Sequence, residues 1–486
     1  MMGKKDTQMQ MMIVNIESLI PQNHLLKKIN DSIDFSFIYE LAAPYYSNIG
    51  RKSIDPVCLI KMLLVGFLYG IKSERRLVEE VSLNIAYRWF CGFDLMDKIP
   101  NHSLFSQNRR RRFTDSIIFS QILNHIVRIC VEKGIVTGDT VVSDGIFIPA
   151  NVSDSSIIKI IEQVEKSAID YLEALDEELR QQEGYKEPIF VVEEKTTFKS
   201  TTDPDCGYID QKHKKGIGYL SQMTTDTQNG IIIGVDCYQA NQRESNIVLR
   251  HLEKIKAKIG IKINKIGLDA GYDVGAVHRG LELLGIEGYV SCIDFSYDIL
   301  KREAKYHPDL DYFECPAGKQ INFIKLAYKK PTRNFYRLYR MSTSDRKHCS
   351  SCDYFRKCQL SYTAARICAS AYYPAFYRNR LRYETSEYKT MKRLRGIWSE
   401  GAFSVLKREH KLSKAIKRGL HRIHEECLLS ALALNLKRMV KALAVGDNSF
   451  VLRVKSGILC FSNTFFQIIV LFRGWEAVCQ QVLFLV

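Results

Sequence analysis

The chain has 486 residues, more than one globular core usually holds, so two to four domains are expected. Apolar residues make up 46% of it and aromatic residues 11%, which excludes a mainly disordered protein. The 70 Lys and Arg exceed the 54 Asp and Glu, and the resulting net charge of +16 suggests a polyanionic partner.

The positive charge is concentrated in one region. Residues 321–440 hold 27 Lys or Arg against 8 Asp or Glu, a balance of +19, so the rest of the chain sums to −3. Aromatic residues are interleaved with these cations, which favours a nucleic-acid groove over a membrane-binding helix. A solvated basic surface is the alternative. The aromatic residues are Phe335, Tyr336, Tyr339, Tyr354, Phe355, Tyr372, Tyr373, Tyr377 and Tyr383.

The fourteen cysteines are dispersed, and Met1 to Met12 is polar, without the apolar stretch of a signal peptide. A reduced, cytoplasmic setting is therefore expected. One candidate membrane span, residues 456–472, includes Ser462, Asn463, Thr464 and Gln467, so it is predicted not to cross a membrane. It belongs to an apolar tail, residues 446–486, to which we assign no role.

Residues 1–135 are predicted to form a helical DNA-binding domain. Asp55 and Pro56 are typical of a helix start, and the apolar run continues to Gly70. A second helix is predicted over Ser73–Ser82. Leu104–Phe113 follows a turn and resembles the second helix of a helix-turn-helix, which can enter a major groove. Its candidate DNA contacts, which an ordinary basic surface would also explain, are Arg109, Arg110, Arg111 and Arg112.

Residues 136–294 are predicted to hold the first part of an α/β core. The strand Thr140–Ile148 contains Asp144 near its centre, and a carboxylate in an apolar strand is costly unless it is paired or binds a metal. After it, Ser155–Gln182 has helical periodicity, which predicts an acidic helical insertion at about residues 155–200.

The next elements complete a recognisable order. Asn229-Gly230 joins two apolar runs and predicts a hairpin. A helix over Glu244–Ile259, a strand that ends at Asp269, a helix over Ala276–Leu284 and a strand over Gly288–Ile293 follow. This is the layout of a ribonuclease-H-like mixed sheet, in which the strands of Asp144 and Asp269 are neighbours. The two carboxylates can then share Mg²⁺ or Mn²⁺, as phosphoryl transfer requires.

A third carboxylate is expected from a later helix, and Glu400 is the candidate. Glu400 and Lys407 are seven residues apart, about two helical turns, so they share one face. The carboxylate can bind metal while the ammonium holds a phosphate. Taken alone, Glu400 is more simply a solvated helix residue, but it follows the final strand inside the basic region.

Together these residues resemble the DDE transposases of bacterial insertion sequences, over roughly residues 20–442. The helical stretch from Asp55 to Phe113 is similar to the DNA-binding domain common in that group. The matching motifs are Asp144-Gly145 with Ala150-Asn151, Leu268-Asp269-Ala270-Gly271-Tyr272, Glu400-Gly401-x-Phe403-x-x-Leu406-Lys407, Arg418-Gly419-Leu420 and Asn435-Leu436-Lys437.

The resemblance implies a metal-dependent recombinase that cuts element ends and transfers the 3′-hydroxyl strand into target DNA. Asp144, Asp269 and Glu400 would bind Mg²⁺ or Mn²⁺, and Lys407 would contact phosphate. The partners would be double-stranded DNA and a second copy of the chain, in a nucleoid-associated setting. A nuclease of the same fold without strand transfer, and an inactive or domesticated DNA-binding relative, remain the alternatives.

One position departs from the family pattern. Related enzymes often have a Tyr seven and an Arg four positions before the glutamate, where this chain has Arg393 and Gly396. Arg393 and Arg395 are therefore the candidates for the DNA-end contact.

The basic insertion, residues 295–385, carries a cysteine cluster, and residues 386–445 are predicted to return to the core as helices. Cys349-x2-Cys352-x5-Cys358, with Cys315 upstream, supplies four thiols for a structural zinc ion. Four reduced thiols in a small β-rich insertion are the alternative.

Overall fold

A computed structural model describes most of the chain. Residues 446–486, including the candidate span at 456–472, lie outside the described residues. Among the described helices, none is long and apolar enough to cross a membrane. The described residues are 14–47, 49–50, 53–114, 116–165, 173–182, 185, 192–211, 214–292, 304–329, 334–355, 357–358, 360, 365–383 and 385–444.

The N-terminal part of the chain is helical, as predicted. Asp55 caps its central apolar helix, because its carboxylate accepts hydrogen bonds from the amides of Val57 (2.8 Å) and Cys58 (3.0 Å). Pro56 opens that helix, where a missing amide proton costs nothing. The helices are α1 (Leu25–Ser32), α2 (Phe37–Ala42), α3 (Pro56–Leu68), α4 (Glu74–Leu83), α5 (Ile85–Phe90), α6 (His102–Phe113) and α7 (Ile118–Glu132).

Eight strands follow, interrupted by three helices. The strands are β1 (Thr140–Pro149), β2 (Ile157–Glu165), β3 (Val192–Ser200), β4 (Gly207–Gln211), β5 (Lys214–Asp226), β6 (Ile232–Gln239), β7 (Lys265–Leu268) and β8 (Glu287–Val290). The helices between them are α8 (Glu173–Arg180), α9 (Glu244–Ile259) and α10 (Gly275–Leu283).

The main sheet has the ribonuclease-H-like topology. Its path is β4-β5-β1-β7-β8, with β6 also paired to β5. Strand β1 is antiparallel to β5 and parallel to β7, and β7 is parallel to β8. Helices α9 and α10 make the crossovers that the parallel pairs require. The predicted order of strand, hairpin, helix, strand, helix and strand is therefore confirmed.

The predicted acidic helix at about residues 155–200 is wrong for most of its length. Strands β2 and β3 form a separate two-stranded antiparallel sheet, and α8 is short. Strand β2 begins Ile157-Ile158-Lys159-Ile160-Ile161, and β-branched side chains favour the extended backbone. Ile160 and Ile161 lie opposite Thr197 and Thr196, two more β-branched residues.

The insertion after β8 forms a second sheet, and helices follow it as far as residue 444. The sheet runs β13-β12-β11-β10-β9, from strands β9 (Lys305–His307), β10 (Tyr312–Glu314), β11 (Gln320–Lys329), β12 (Asn334–Met341) and β13 (Arg366–Ser370). The helices are α11 (Thr343–Lys347), α12 (Tyr373–Arg382), α13 (Ser386–Arg395), α14 (Gly401–Glu409) and α15 (residues 420–444).

Helix α15 is bound to the main sheet through a buried amide. Asn435 accepts a hydrogen bond from the Ile232 amide and donates one to the Ile232 carbonyl, both at 2.8 Å. The side chain thus satisfies both backbone groups of one residue of β6, as a further strand would. This gives the Asn435-Leu436-Lys437 motif a structural role.

Candidate active site

Three carboxylates meet beside the centre of the main sheet. One ligand oxygen from each of Asp144, Glu244 and Asp269 lies within 4.8 Å of the other two. Asp144 lies in β1, Asp269 directly follows β7, and Glu244 is the first residue of α9. In the described part of the chain, this is the one group of three or more acidic, histidine or cysteine side chains with such spacing.

Sheet register brings the two aspartates together. Strands β1 and β7 pair in parallel, with Thr140 opposite Lys265 and Val142 opposite Gly267. The same offset, continued by two residues, aligns Asp144 with Asp269. The Asp269 carboxylate accepts a hydrogen bond from the Gly271 amide (2.8 Å) and caps the short 3₁₀ helix Ala270–Tyr272, which fixes its direction.

Glycine at position 145 leaves room for Glu244. A Cβ atom at this position would lie 2.2 Å from Glu244 Oε1. The sequence interpretation used Glu244 only as a helix start and did not identify it as a site residue. The signal that was available is an acidic residue in the first turn of the helix that follows the hairpin.

The cluster concentrates negative charge in a poorly solvated position. Burial, followed by repulsion from Asp269 and Glu244, raises the pKa of Asp144 to about 7, although Arg395 and the Gly145 amide act in the opposite direction. An all-oxygen donor set with excess negative charge suits a hard divalent cation such as Mg²⁺ or Mn²⁺. The residues present therefore fit such an ion.

Glu400 is joined to this cluster through an arginine. Arg395 donates to Asp144 Oδ2 (3.2 Å) and to Glu400 Oε1 (2.8 Å), so one guanidinium connects the two carboxylates. The Glu400 side chain is 61% exposed, whereas that of Asp144 is 11% exposed. The structure thus brings Asp144 and Asp269 together as predicted, with Glu400 on the open side of Arg395.

A π-helical turn explains the departure from the family spacing. Gly396–Glu400 is π-helical, and the Gly401 amide bonds to the Gly396 carbonyl. A π-turn inserts one residue, so side chains five positions apart share a face as those four apart do in an α-helix. Arg395, five positions before Glu400, therefore occupies the place that an arginine four positions before it would have in a regular helix.

A buried network of hydrogen bonds connects the segments that carry Asp144 and Asp269. The Tyr272 hydroxyl donates to Gln222 Oε1 (2.9 Å), and Gln222 Nε2 donates to Ser143 Oγ (2.8 Å). Ser143 is also hydrogen-bonded to Thr224 (2.8 Å). The network connects the residue before Asp144 to the tyrosine three residues after Asp269, so it fixes both strand segments. This accounts for the tyrosine of the Asp-Ala-Gly-Tyr motif.

The predicted DNA contacts differ in their surroundings. Arg110, Arg111, Arg393 and Lys407 are exposed, as a phosphate contact requires. Arg112 is half-buried, stacks 3.9 Å from the Tyr46 ring and donates to the Tyr45 carbonyl (2.9 Å).

Arg109 points inward, unlike the surface contact expected for it. Its guanidinium bonds to Glu74 and to Glu425 of α15, both at 2.9 Å, and its side chain is 9% exposed. It therefore joins the N-terminal helices to α15 and faces away from solvent.

Replacing Arg109 is accordingly expected to affect stability. Arg109→Met should lower the free energy of unfolding by about 3 kcal/mol, because it leaves the buried Glu425 carboxylate without one of its partners. Lys417 still lies 2.9 Å from Glu425, which keeps the loss at the lower end of the range for broken buried pairs. Urea denaturation measures the change. Arg110→Met, an exposed neighbour, is the control and should change stability by less than about 0.5 kcal/mol.

Several aromatic and basic residues of the 321–440 region have structural roles inside the protein. Tyr339 and Tyr373 are buried in the core of the second sheet, so these two aromatics do not line a groove. Arg378 pairs with Glu282, Arg380 with Asp273 and Arg382 with Glu287. These pairs hold α12 against α10 and β8 and use part of the positive charge of residues 321–440 internally.

Two family comparisons match separate parts of the chain. The family described as "Transposase domain (DUF772)" matches residues 14–111, and the family described as "Transposase DDE domain" matches residues 314–440. In these two parts the chain is similar to DDE transposases. The first match covers helices α1 to α5 and most of α6, and the second covers the segment that carries Arg395 and Glu400.

Solved structures of transposases are distantly similar. A piggyBac transposase synaptic complex with hairpin DNA is 8% identical, with 86% of this chain and 81% of that chain covered and a TM-score of 0.26. The Mos1 mariner paired end complex with Mn is 10% identical, with 55% and 64% covered and a TM-score of 0.16. Among curated proteins, no sequence matches this chain.

Proposed function

We propose that this transposase cleaves DNA at the ends of a mobile element and joins the freed 3′-hydroxyl to target DNA, in a reaction that depends on a divalent cation. The observation that carries the proposal is the meeting of Asp144 and Asp269 on adjacent parallel strands, with Glu400 connected to Asp144 by Arg395. Two copies acting on two ends are part of the proposal.

Asp144, Asp269 and Glu400 are the proposed catalytic residues, and Glu244 completes the carboxylate cluster with the two aspartates. The bound Mg²⁺ or Mn²⁺ would neutralise phosphate charge and lower the pKa of an attacking hydroxyl or water. The aspartates hold their oxygens at fixed positions through the β1–β7 register and the Asp269 cap. Arg395 keeps Asp144 and Glu400 paired, and Lys407 on the exposed face of α14 is available to a DNA phosphate.

DNA is proposed to approach along a basic pocket between helix α6 and helix α15. The pocket has a volume of about 230 Å³. Arg418 donates to the Asn151 carbonyl (2.9 Å), and Asn151 Nδ2 donates to the Ile416 carbonyl (2.8 Å). The Ala150-Asn151 and Arg418-Gly419-Leu420 motifs are thus in contact. Exposed guanidinium groups at its rim suit the phosphate backbone: Arg110, Arg418 and Arg422.

The double variant Arg110→Ala/Arg418→Ala tests this path. We expect its affinity for duplex DNA to fall about tenfold or more, equally for end and unrelated sequences. The slope of log affinity against log salt concentration should become smaller in magnitude by about 2, because two phosphate contacts are lost. Fluorescence anisotropy at several salt concentrations measures both quantities. Arg76→Ala, which removes another exposed arginine of the helical region, is the control. An unchanged salt slope in the double variant would exclude this pocket from the DNA path.

Cleavage itself is tested on DNA that carries whatever inverted repeats are found on the two sides of the coding sequence. Purified transposase should cut these ends in Mg²⁺ or Mn²⁺ and not in EDTA. Binding without cleavage in either ion would favour the inactive DNA-binding relative. Cleavage without any joined product would favour the nuclease.

A further inference from the structure

Four cysteines of the insertion line one cavity, far along the chain from the carboxylate cluster. The cavity has a volume of about 310 Å³ and is bordered by the turn between β10 and β11 and by the segment that follows α11. Cys315 comes from the turn, and Cys349, Cys352 and Cys358 come from the segment. All four are half-buried and free of disulfides. Two separate stretches of backbone thus contribute cysteines to the lining of one cavity.

The turn that carries Cys315 is shaped around its sulfur. The Lys319 amide donates a hydrogen bond to Cys315 Sγ (3.3 Å), and the Cys315 amide donates to the Lys319 carbonyl (2.9 Å). Gly318 has φ +75°, a left-handed conformation that glycine adopts without strain. An amide directed at a sulfur stabilises its thiolate, which is the form that binds metals.

The second stretch presents its cysteines in consecutive tight turns. The Cys352 amide donates to the Cys349 carbonyl (3.3 Å), and the Phe355 amide donates to the Cys352 carbonyl (2.9 Å). The Cys358 amide then donates to the Tyr354 carbonyl (2.7 Å). Cys349, Cys352 and Cys358 all line the cavity that Cys315 also lines.

The second sheet has a small hydrophobic core, so a bound metal would add to its stability. Among the described residues this core consists of eleven buried side chains, and Cys315, Cys349 and Cys358 pack at its margin. Small units with limited apolar cores commonly gain stability from a structural metal. Among the described residues, no three cysteine sulfurs lie within 4.8 Å of one another. The four sulfurs are therefore farther apart in this structure than the ligands of a bound ion would be.

We propose that Cys315, Cys349, Cys352 and Cys358 bind one structural Zn²⁺, which fastens the segment after α11 to the turn between β10 and β11. Four thiolates form a closed tetrahedral set with no position open for catalysis, and soft sulfur ligands select Zn²⁺ over the Mg²⁺ or Mn²⁺ of the carboxylate cluster. The site therefore serves the shape of the insertion and is independent of the proposed DNA chemistry.

Metal analysis of the full-length protein tests the proposal. Elemental analysis by mass spectrometry should find about one zinc per chain in the wild type and less than about 0.2 in Cys352→Ser or Cys358→Ser. Cys368→Ser changes an exposed cysteine on β13 of the same sheet and should retain the zinc. Asp144→Asn should retain it too, which separates this site from the carboxylate cluster.

A second measurement does not depend on whether the variants fold. Titration of wild-type protein with a mercurial reagent should release the zinc to a chromogenic chelator as the thiols react. Chelation should also make the segment around residues 348–358 more sensitive to protease. Wild-type protein that holds no zinc, that holds iron in its place, or that keeps its zinc in Cys352→Ser would overturn the proposal.

Discussion

Asp144→Asn should reduce end cleavage by at least about a thousandfold while leaving DNA binding intact, because several kcal/mol of charge stabilisation correspond to about three orders of magnitude in rate. Asn has nearly the same shape as Asp, so the strand and its Ser143 contacts are preserved. Only the charge is lost. Cleavage of labelled end DNA in Mg²⁺ measures the rate, and a gel-shift assay measures binding.

The same variant should change stability in an informative direction. Without divalent cations, Asp144→Asn should melt at a higher temperature than the wild type, because it removes a buried charge that Asp269 and Glu244 repel. Its stabilisation by added Mn²⁺ should shrink. Asp210→Asn, at an exposed position of β4, is the matched control and should behave as the wild type. A cleavage rate within tenfold of the wild type in Asp144→Asn would remove this residue from the catalytic set.

Glu400→Gln and Glu244→Gln should separate two roles for glutamate. We expect Glu400→Gln to lower cleavage at least about a hundredfold, since it removes a proposed ligand of the cation on the side of the site where DNA would arrive. Glu244 lies inside the cluster, so Glu244→Gln should mainly weaken binding of the cation. The Mn²⁺ concentration required for cleavage should rise about tenfold. Cleavage as a function of Mn²⁺ concentration, together with thermal shift, measures both.

Gly145→Ala offers a second way to displace Glu244 without removing its charge. The added methyl group would occupy the position of Glu244 Oε1, so the flexible glutamate must move. This variant should reproduce the Glu244→Gln requirement for more Mn²⁺. If cleavage by Glu400→Gln equals that of the wild type while Glu244→Gln is inactive, Glu244 is the third catalytic carboxylate and Glu400 is not.

The positions of Asp144 and Asp269 can be predicted from the sequence because each lies in or directly after a run of apolar, β-branched residues. Asp144 interrupts an apolar β-branched strand, and Asp269 ends another, so local composition located both of them. The parallel pairing that joins them followed from the order of elements. Hairpin, helix and strand boundaries in this stretch agree with the structure to within a few residues, as at Glu244–Ile259.

The remaining features depend on contacts between distant residues. Glu244 joins the cluster only because α9 crosses β1 at a glycine, and no local pattern records that crossing. Arg109 is drawn inward by Glu425, more than three hundred residues later. The strand β2 was mistaken for a helix because its charged residues fit a helical period, whereas β3, its partner, lies beyond α8.

Strand transfer is the most direct test of the central claim, that this chain joins DNA as well as cutting it. A labelled, pre-cleaved end with a free 3′-hydroxyl is incubated with purified transposase, Mg²⁺ and a supercoiled target plasmid, and the plasmid is examined for covalently attached label. The account predicts attachment with the 3′-hydroxyl end and none with a 3′-dideoxy end or with Asp144→Asn. Absence of attached label from the 3′-hydroxyl end, under conditions in which the protein binds and cuts that end, would contradict it.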